Sequence, residues 1–462
     1  MIKLTLRELA TVVGGSILQG NPDWQFENVT IDSRSVKQGE LFVAIKGERF
    51  DGHDFIEQAI QAGAKGVIVE RELQTAGEVA VVMVDNTLTA LGSIARANRS
   101  KLNIPVIGIT GSNGKTTTKD LTAVILEQQF EVVKTEGNFN NEIGLPLTLL
   151  KIATTTEAAV VEMGMRGLGQ IQQLADIALP TIGIVTNVGQ SHIELLGTQE
   201  NIARAKSELI QALPEDGVAI LNGDDELVRS MRNQTKARVV CFGIDNDHND
   251  YLAKNIKAYS EGSRCEIYCR SDGTTFEIEL PIPGRHNILN ALAAIAVAKE
   301  LGVSNEVIRT GLSKIVLTGK RLNITKTRDY WIIDDTYNAS PTSMKAALDV
   351  LAEFKHPGQK IAVLADMLEL GVQSPQFHYE VGVYAGKLGI DRLYAFGSLA
   401  KSYVEGYQSI LNTPACYFTD KQKLLTELQA VLQPGDLVLI KGSRGMHMEE
   451  IVIALHGEEA LA

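Results

Sequence analysis

Gly108-Ile109-Thr110-Gly111-Ser112-Asn113-Gly114-Lys115-Thr116-Thr117-Thr118-Lys119 decides the reading of this chain. The stretch follows a short apolar run, Ile104 to Ile109, and leads straight into a helical pattern, so it reads as strand, loop, helix. Glycines and small residues let backbone N–H groups turn inward around phosphate oxygens. Lys115 can reach the terminal phosphates, and the Thr116 hydroxyl can ligate a magnesium ion. Gly111, Ser112, Asn113, Gly114, Lys115, Thr116 and Thr117 are therefore candidate ATP contacts. The usual phosphate loop puts four residues between its first glycine and the Gly-Lys pair; here Gly111 lies only three before Gly114, and Gly108 is too far away. That shortening narrows the families to consider. A Gly-rich turn without a ligand is the plainer alternative, but Gly-Lys-Thr at a helix start is rarely only structural.

The 462 residues exceed what one ordinary core needs and point to three domains. With 44% hydrophobic and 22% charged residues, the composition is that of an ordinary folded protein. A net charge of −12 opposes non-specific attraction to nucleic acid or an anionic membrane, so any anionic ligand must be held by a local positive site. Met1 to Gly14 lacks the apolar core of a signal peptide and no run is long enough to span a bilayer, which makes a cytoplasmic location and no transmembrane segment the expectation. A monomer is expected as well. Cys241, Cys265, Cys269 and Cys416 are too scattered for a disulfide framework, and the close pair lacks further ligands at zinc spacing, so they are expected to be buried or half-buried thiols.

Residues 1–85 alternate strand-like and helical stretches: Val29 to Asp32, Leu41 to Ile45, a helix over Phe55 to Ala62, then Gly66 to Val69. This predicts a small N-terminal α/β domain with polar loops at Asp32-Ser33-Arg34-Ser35 and from Lys46 to His53. Residues 86–316 repeat strand then helix, with strands at Ile104 to Ile109, Ala158 to Glu162, Ile182 to Asn187 and Val218 to Leu221. Such continuous Val/Ile-rich runs belong to a parallel sheet covered on both faces, here a central phosphate-loop domain whose ligands gather at the carboxyl ends of the strands. Residues 317–462 repeat the alternation with Trp331 to Asp334, Lys360 to Leu364, Arg392 to Ala395 and Leu437 to Ile440, predicting a C-terminal Rossmann-like α/β domain. The hinge falls at Leu317-Thr318-Gly319-Lys320-Arg321, where the helical pattern stops.

Glu162 ends an apolar strand, where a phosphate-loop site needs a magnesium ligand; capping of the next helix is the competing reading. His192 follows the strand end Thr186-Asn187 in Thr186-Asn187-Val188-Gly189-Gln190-Ser191-His192 and would reach the same crevice, although a lone histidine is usually structural and imidazole is an uncommon magnesium ligand. Lys206, on a helix from Gln199 to Leu213 near Glu200 and Glu208, reads as a surface ion pair worth little. Asn287 and Asn290 share one helical face ahead of the apolar helix Ala291 to Leu301 and could meet an adenine edge, with capping and packing the favoured alternative. Asp334-Asp335-Thr336-Tyr337-Asn338-Ala339-Ser340-Pro341 ends a strand, turns and starts a helix, a favourable ligand corner.

Taken together, these residues resemble the Mur ligase family, the ATP-dependent amide-forming enzymes of bacterial cell-wall precursor synthesis, over nearly the whole chain. The shortened loop, Glu162, Thr186-Asn187 with His192, Ala205-Lys206, and His286-Asn287 with Asn290 occur in the family's order. Within the family, Gly137-Asn138-Phe139-Asn140-Asn141-Glu142-Ile143-Gly144-Leu145-Pro146, Asp334 to Pro341, Ala365-Asp366-Met367-Leu368-Glu369-Leu370-Gly371, and Lys441-Gly442-Ser443-Arg444 with Met446 and Glu449 resemble the branch that adds D-alanyl-D-alanine to UDP-N-acetylmuramoyl-tripeptide. No Asp-Asn-Pro-Arg sequence, a mark of the branch that adds the third residue in many bacteria, is found.

The resemblance implies two Mg²⁺ ions beside ATP, one held by Thr116 and Glu162 and the second by His192 with a carbamylated Lys206, because a bare ammonium would repel the cation. It further implies that Lys115, Glu162, His192 and Lys206 are catalytic, that Asn287 and Asn290 contact adenine, that Arg321 reaches the phosphates across the hinge and that Asp335 binds the ribose. The UDP end is expected at Ser33, Arg34 and Lys46, the peptide at the loop carrying Asn138, Asn140 and Asn141, and the dipeptide against the C-terminal domain. Two rival functions remain: another ligase of the family, such as the third-residue enzyme or a folylpolyglutamate synthase, and a phosphate-loop ATPase or kinase without ligase activity.

Overall fold

A computed structural model describes residues 4–259, 262–319 and 321–457. Lys320 of the expected hinge lies outside the described residues. Three sheets follow one another along the chain. The first has five strands in the spatial order Ser16–Gln19, Ala80–Met83, Gly66–Val69, Leu41–Val43, Val29–Thr30; only Ser16–Gln19 is antiparallel to its neighbour. The strand expected to reach Asp32 stops at Thr30 because side chains take over the backbone: Asp32 N donates to Thr30 Oγ1 (3.2 Å) and Arg34 N to Asp32 Oδ1 (3.0 Å), a turn that competes with the ladder. Between Leu41–Val43 and Gly66–Val69 a 3₁₀ turn, Gly52–Phe55, leads into the helix Ile56–Gln61.

The central sheet has nine strands in the order Thr275–Leu280, Gly262–Cys269, Tyr251–Tyr259, Arg238–Gly243, Val218–Asn222, Ile182–Val185, Val106–Thr110, Ala158–Glu162, Val132–Lys134. From Tyr251–Tyr259 onward the strands are parallel, as the continuous apolar runs predict. Val106 and Val161 face one core and Ile107, Ile109 and Val160 the other, so both faces are covered. The other edge is an antiparallel meander that a parallel-sheet reading does not anticipate. Its alternation of buried and exposed residues in Thr275–Leu280 reports a ribbon covered on one face only. Cys265 and Cys269 are buried in it as free thiols, and burial pushes the Cys265 thiol up to about 12. The third sheet runs Asn323–Lys326, Trp331–Asp335, Leu437–Lys441, Lys360–Ala365, Arg392–Phe396, Ala415–Phe418, parallel except for its first strand.

The first and second sheets share a core. The helix Thr87–Arg99, capped by Asn86, carries Leu91 and Ile94 into one apolar cluster that includes Leu6, Leu9 and Val82 on one side and Leu149 and Leu174 on the other. Asn98, 1% exposed, donates to the carbonyls of Leu149 (3.0 Å) and Ile152 (3.1 Å), and the Arg99 guanidinium donates to those of Ala178 (3.1 Å) and Leu102 (2.8 Å). Those of Leu149, Ile152 and Ala178 lie at or near the ends of the helices Gly144–Leu150 and Gln170–Ala178, where the last turn has none of its own donors left. Among the described residues no helix is long and apolar enough to cross a membrane.

The carboxyl ends of Val106–Thr110, Ala158–Glu162 and Ile182–Val185 face those of Trp331–Asp335 and Leu437–Lys441 across a cavity of about 840 Å³. Two sheets thus point their ligand-binding edges at each other. Asn98→Ala removes both donors from the bridging carbonyls, and its expected cost is about 1–3 kcal/mol. Equilibrium denaturation that shows no change in the midpoint of the transition melting the central domain would contradict this.

Candidate active site

The phosphate loop takes its shape from what lies behind it. Gly111 has φ 153°, and a Cβ there would sit 1.8 Å from Thr186 Oγ1; Gly114, at φ 82°, would place one 2.4 Å from Asn290 Oδ1. Both positions need glycine for conformation and for space. Thr186 Oγ1 donates to Asn113 O (2.6 Å), Asn187 Nδ2 to the same carbonyl (3.0 Å), and Asn113 N returns a bond to Asn187 Oδ1 (2.9 Å). Ser112 N donates to Asn187 O (3.0 Å) and Gly189 N to Ser112 Oγ (2.8 Å). The loop is therefore stapled to the end of the neighbouring strand. Lys115 Nζ donates to Gly111 O (2.7 Å), and the helix Lys115–Leu126 has no side-chain cap, which leaves the N–H groups of its first turn for an anion.

Glu162 is 2% exposed at its strand end. It accepts from Thr116 Oγ1 at 2.7 Å and from Asn140 Nδ2 at 2.7 Å, while its own N–H donates to Thr135 Oγ1 at 3.0 Å. It caps no helix: Gly169 occupies the cap position of the helix Gln170–Ala178. A hydroxyl and a buried carboxylate at a phosphate loop are a hard-oxygen donor set that suits Mg²⁺. Burial lowers the Lys115 ammonium from its usual range, with Glu162 opposing the shift and Arg321 adding to it.

His192 lines the cavity with a left-handed backbone, φ 66°, and its Nδ1 lies 2.6 Å from Glu369 Oε2 of the C-terminal domain. The reading of Lys206 as a surface ion pair is wrong. Lys206 is 2% exposed, and Glu208 turns away to accept from the N–H groups of Gly169 (2.7 Å) and Gln172 (3.1 Å). Residues two apart on a helix do not face each other, and this one presents Lys206 to the core and Glu208 to the neighbouring helix. Among the described residues no carboxylate pairs with Lys206; burial first, then repulsion from Lys115, holds its ammonium well below the ordinary lysine range. Nor do the described residues contain a group of three or more His, Cys, Asp and Glu that could hold a metal, so the hard-oxygen donors on this wall are the Thr116 hydroxyl and the Glu162 carboxylate.

On the other wall the helix Arg285–Glu300 begins six residues before its expected start, with Gly284 at its cap position and no side-chain cap bond. Asn287 and Asn290 therefore lie inside it and cap nothing. Asn287 Nδ2 donates to Pro283 O (2.7 Å), Asn290 Nδ2 to Asn287 Oδ1 (3.2 Å), and Thr118 Oγ1 to Asn290 Oδ1 (3.3 Å), which ties this helix to the one that follows the phosphate loop. From the C-terminal domain, the Arg321 guanidinium lies 3.9 Å from the centroid of the Tyr337 ring, with its buried Nε unpartnered among the described residues. Asp335 accepts from Lys441 Nζ at 2.6 Å and from Leu322 N at 3.3 Å. Tyr337, Lys441 and Glu369 were not picked out as site residues by sequence reasoning. Lys441 had a usable signal, since it ends a buried strand as Glu162 does.

Polar contacts join the two halves. Ser340 Oγ donates to Asn113 Oδ1 (3.0 Å), Thr342 Oγ1 to Gln190 Oε1 (3.3 Å), and Thr318 donates through N (2.8 Å) and Oγ1 (3.0 Å) to Asp120. Ser112 to Thr117, Glu162, His192, Asn287, Asn290, Arg321 and Asp335 all line the cavity, as do Asn138, Asn140 and Asn141. Gly111 and Lys206 are not among its lining residues, although the Lys206 ammonium is close enough to Lys115 and His192 to act on them electrostatically. Ser33, Arg34 and Lys46 are elsewhere: Ser33 Oγ donates to Gln58 Oε1 (3.0 Å), the Lys46 backbone pairs antiparallel with that of Asp51, and the exposed Arg34 pairs with Asp32 (2.7 Å), holding that carboxyl down at about 2.

Three family models match in chain order: the Mur ligase family catalytic domain over residues 25–99, the Mur ligase middle domain over 109–298 and the Mur ligase glutamate ligase domain over 320–444. Over 458 residues the chain is 43% identical to the UDP-N-acetylmuramoyl-tripeptide--D-alanyl-D-alanine ligase of Bacillus subtilis, covering 98% of each. The chain belongs to the Mur ligase family. The enzyme of that same description from Escherichia coli is 37% identical, over 98% of this chain and 99% of its own. Among solved Mur ligases, MurF from Acinetobacter baumannii superposes with a TM-score of 0.91 at 33% identity over 99% of both chains. MurF from Thermotoga maritima in complex with ADP gives 0.83 at 31% identity, over 94% of this chain and 98% of its own. A folylpolyglutamate synthase of Mycobacterium tuberculosis, at 16% identity and a TM-score of 0.61, shares the fold alone.

His286, beside Asp335 and Lys441, is pushed down by burial from 6.5 to about 4. The folded state thus keeps this ring neutral where the unfolded chain would protonate it, so its contribution to stability is lost as pH falls from 6.5 towards 4. His286→Gln is expected to lose less stability than the parent over that window in denaturation midpoints taken at each pH. Parallel pH curves for the two would refute the assignment.

Proposed function

We propose that this chain joins D-alanyl-D-alanine to UDP-N-acetylmuramoyl-tripeptide with ATP as the energy source, releasing ADP and phosphate in peptidoglycan precursor synthesis. The observation that carries the reading is the full-length match to ligases of that description, with the phosphate loop, Glu162 and the C-terminal residues around one cavity.

The chemistry follows from what a carboxylate lacks. Oxide is a poor leaving group, so an amine cannot displace it. A carboxylate oxygen therefore attacks the γ-phosphorus of ATP, the bond to the bridging oxygen breaks, and ADP leaves. The amine of the dipeptide then attacks the acyl carbon of the acyl phosphate, and phosphate departs with the C–O electron pair. Lys115 and the N–H groups of the helix it begins hold the terminal phosphates in line, and Asn287 and Asn290 orient the base. Arg321, stacked on Tyr337, brings a second cation from the C-terminal domain. The contacts of Ser340 and Thr342 close that domain over the acyl phosphate and exclude water. Magnesium at Thr116 and Glu162 would neutralise the phosphate and carboxylate charges that must approach each other.

Lys206 fits the second cation site in modified form. Burial favours its neutral amine, the species that adds carbon dioxide to give a carbamate and a proton, and the product supplies the carboxylate that this part of the cleft lacks. The UDP end is placed on the N-terminal domain at Ser33, Arg34 and Lys46, and the peptide at Asn138, Asn140 and Asn141.

Phosphate release should require UDP-N-acetylmuramoyl-tripeptide, ATP and D-alanyl-D-alanine together, with the pentapeptide product detected by mass. A phosphate-loop ATPase would release phosphate without the dipeptide, and a sibling ligase would prefer another acid and amine. Lys115→Ala is expected to lower kcat by about 100-fold or more, on the scale of removing a preorganised donor to a developing charge. Arg34→Ala should raise KM for the UDP substrate with little change in kcat; an unchanged KM would remove Arg34 from the site.

A further inference from the structure

His192 and Glu369 are an unusual pair. Each is a non-glycine residue in the left-handed region, at φ 66° and φ 63°, a conformation that costs an L-residue of order 1–3 kcal/mol unless its surroundings impose it. They come from different domains and meet at 2.6 Å, Nδ1 to Oε2. A half-exposed imidazole–carboxylate contact of this kind adds little to stability, so its position in the site is the more informative property.

Glu369 is held on its own side by buried partners. Met367 N donates to Nε2 of the fully buried His378 (3.0 Å), and Leu368 N donates to Ser443 Oγ (2.9 Å). Across the interface Glu194 N donates to Glu369 O (3.3 Å), and Gly371 packs against the Glu194 side chain. The segment is thus rigid with the C-terminal domain and reaches the central domain at His192 and Glu194. A carboxylate accepting from Nδ1–H leaves Nε2 as the nitrogen with a free lone pair, and it is a neutral, oriented imidazole of that kind that serves as a metal ligand.

We propose that Glu369 is a positioning residue: it sets the tautomer and orientation of His192, and does so only while the C-terminal domain is closed, so that closure itself completes the second cation site. This rests on the ligase reading for its kinetic consequence but not for its structural one. With the C-terminal domain swung away, His192 loses the acceptor that fixes its ring, and the cleft is not ready for phosphoryl transfer before the domain that seats the amine has arrived. While the domain is open and this contact is absent, hydrolysis of ATP is suppressed.

The test uses the full chain with ¹⁵N-labelled histidine at pH 8.5, in EDTA, with His192→Gln identifying the resonance. The parent is expected to show His192 protonated at Nδ1 and bare at Nε2, Glu369→Ala to lose that preference and Glu369→Asp to recover it in part. In steady state, Glu369→Ala should lower kcat about 10- to 100-fold, the usual cost of removing a partner behind a metal ligand, with KM for ATP nearly unchanged. An unaltered His192 tautomer in a folded Glu369→Ala protein would overturn the proposal, as would a kcat within twofold of the parent. If the parent makes no pentapeptide, the ligase reading fails while the tautomer experiment still decides the role of Glu369.

Discussion

The site depends on the clamp that Thr186 and Asn187 place behind the phosphate loop. The shortened loop takes its shape from the adjacent strand, which holds its carbonyl and amide at Asn113 and leaves no room for a side chain at Gly111. Once the loop is pinned there, the rest of the cleft has fixed coordinates. Thr116 stands on the first turn of the following helix against Glu162, Lys115 folds back over the Gly111 carbonyl, and Asn290 fills the space that the missing Cβ of Gly114 leaves. Parallel strands covered on both faces supply the rigidity, so that the three strand ends carrying Thr110, Glu162 and Thr186 do not shift relative to one another.

The C-terminal domain is attached in a different way. Where the N-terminal and central domains share a continuous apolar core through the helix Thr87–Arg99, the C-terminal domain meets the central domain mostly through hydroxyls, amides and the imidazole–carboxylate contact of His192, with Ile193 as an apolar contact. Contacts of that kind exchange readily with water, the condition for a domain that must open to admit substrates and close to exclude solvent. Positive charge enters the cavity from both sides: Lys115 belongs to the central domain, while Arg321 and Lys441 come from the C-terminal domain. An overall charge of −12 makes this local concentration the means by which anionic substrates are held.

Much of this was legible in the amino-acid sequence because buried parallel strands and phosphate loops leave strong local signals. Ala158–Glu162 and Gly66–Val69 fall at their expected residues, and Glu162 and His192 sit where a strand-end rule places them. The stretch around Cys265 and Cys269 reads as a strand-like polar segment, but the meander of Tyr251–Tyr259, Gly262–Cys269 and Thr275–Leu280 is not legible as such, because a one-face ribbon alternates polar and apolar residues and lacks the long apolar run. Lys206 was misplaced because charged neighbours in sequence were taken for neighbours in space, whereas burial of the whole helix face is a tertiary property. Glu369 falls in the stretch Ala365 to Gly371 that carries the resemblance, but its pairing with His192 has no local signal, the partner being 177 positions away and in another domain.

The central claim is that the γ-phosphate and the acid to be activated meet in one cleft between the central and C-terminal domains. Labelling the terminal carboxylate of UDP-N-acetylmuramoyl-tripeptide with ¹⁸O tests it most directly. Transfer through an acyl phosphate must carry one labelled oxygen into each phosphate released as the dipeptide is joined, and mass analysis should find it there. Phosphate free of label, with its fourth oxygen drawn from water, would contradict the account.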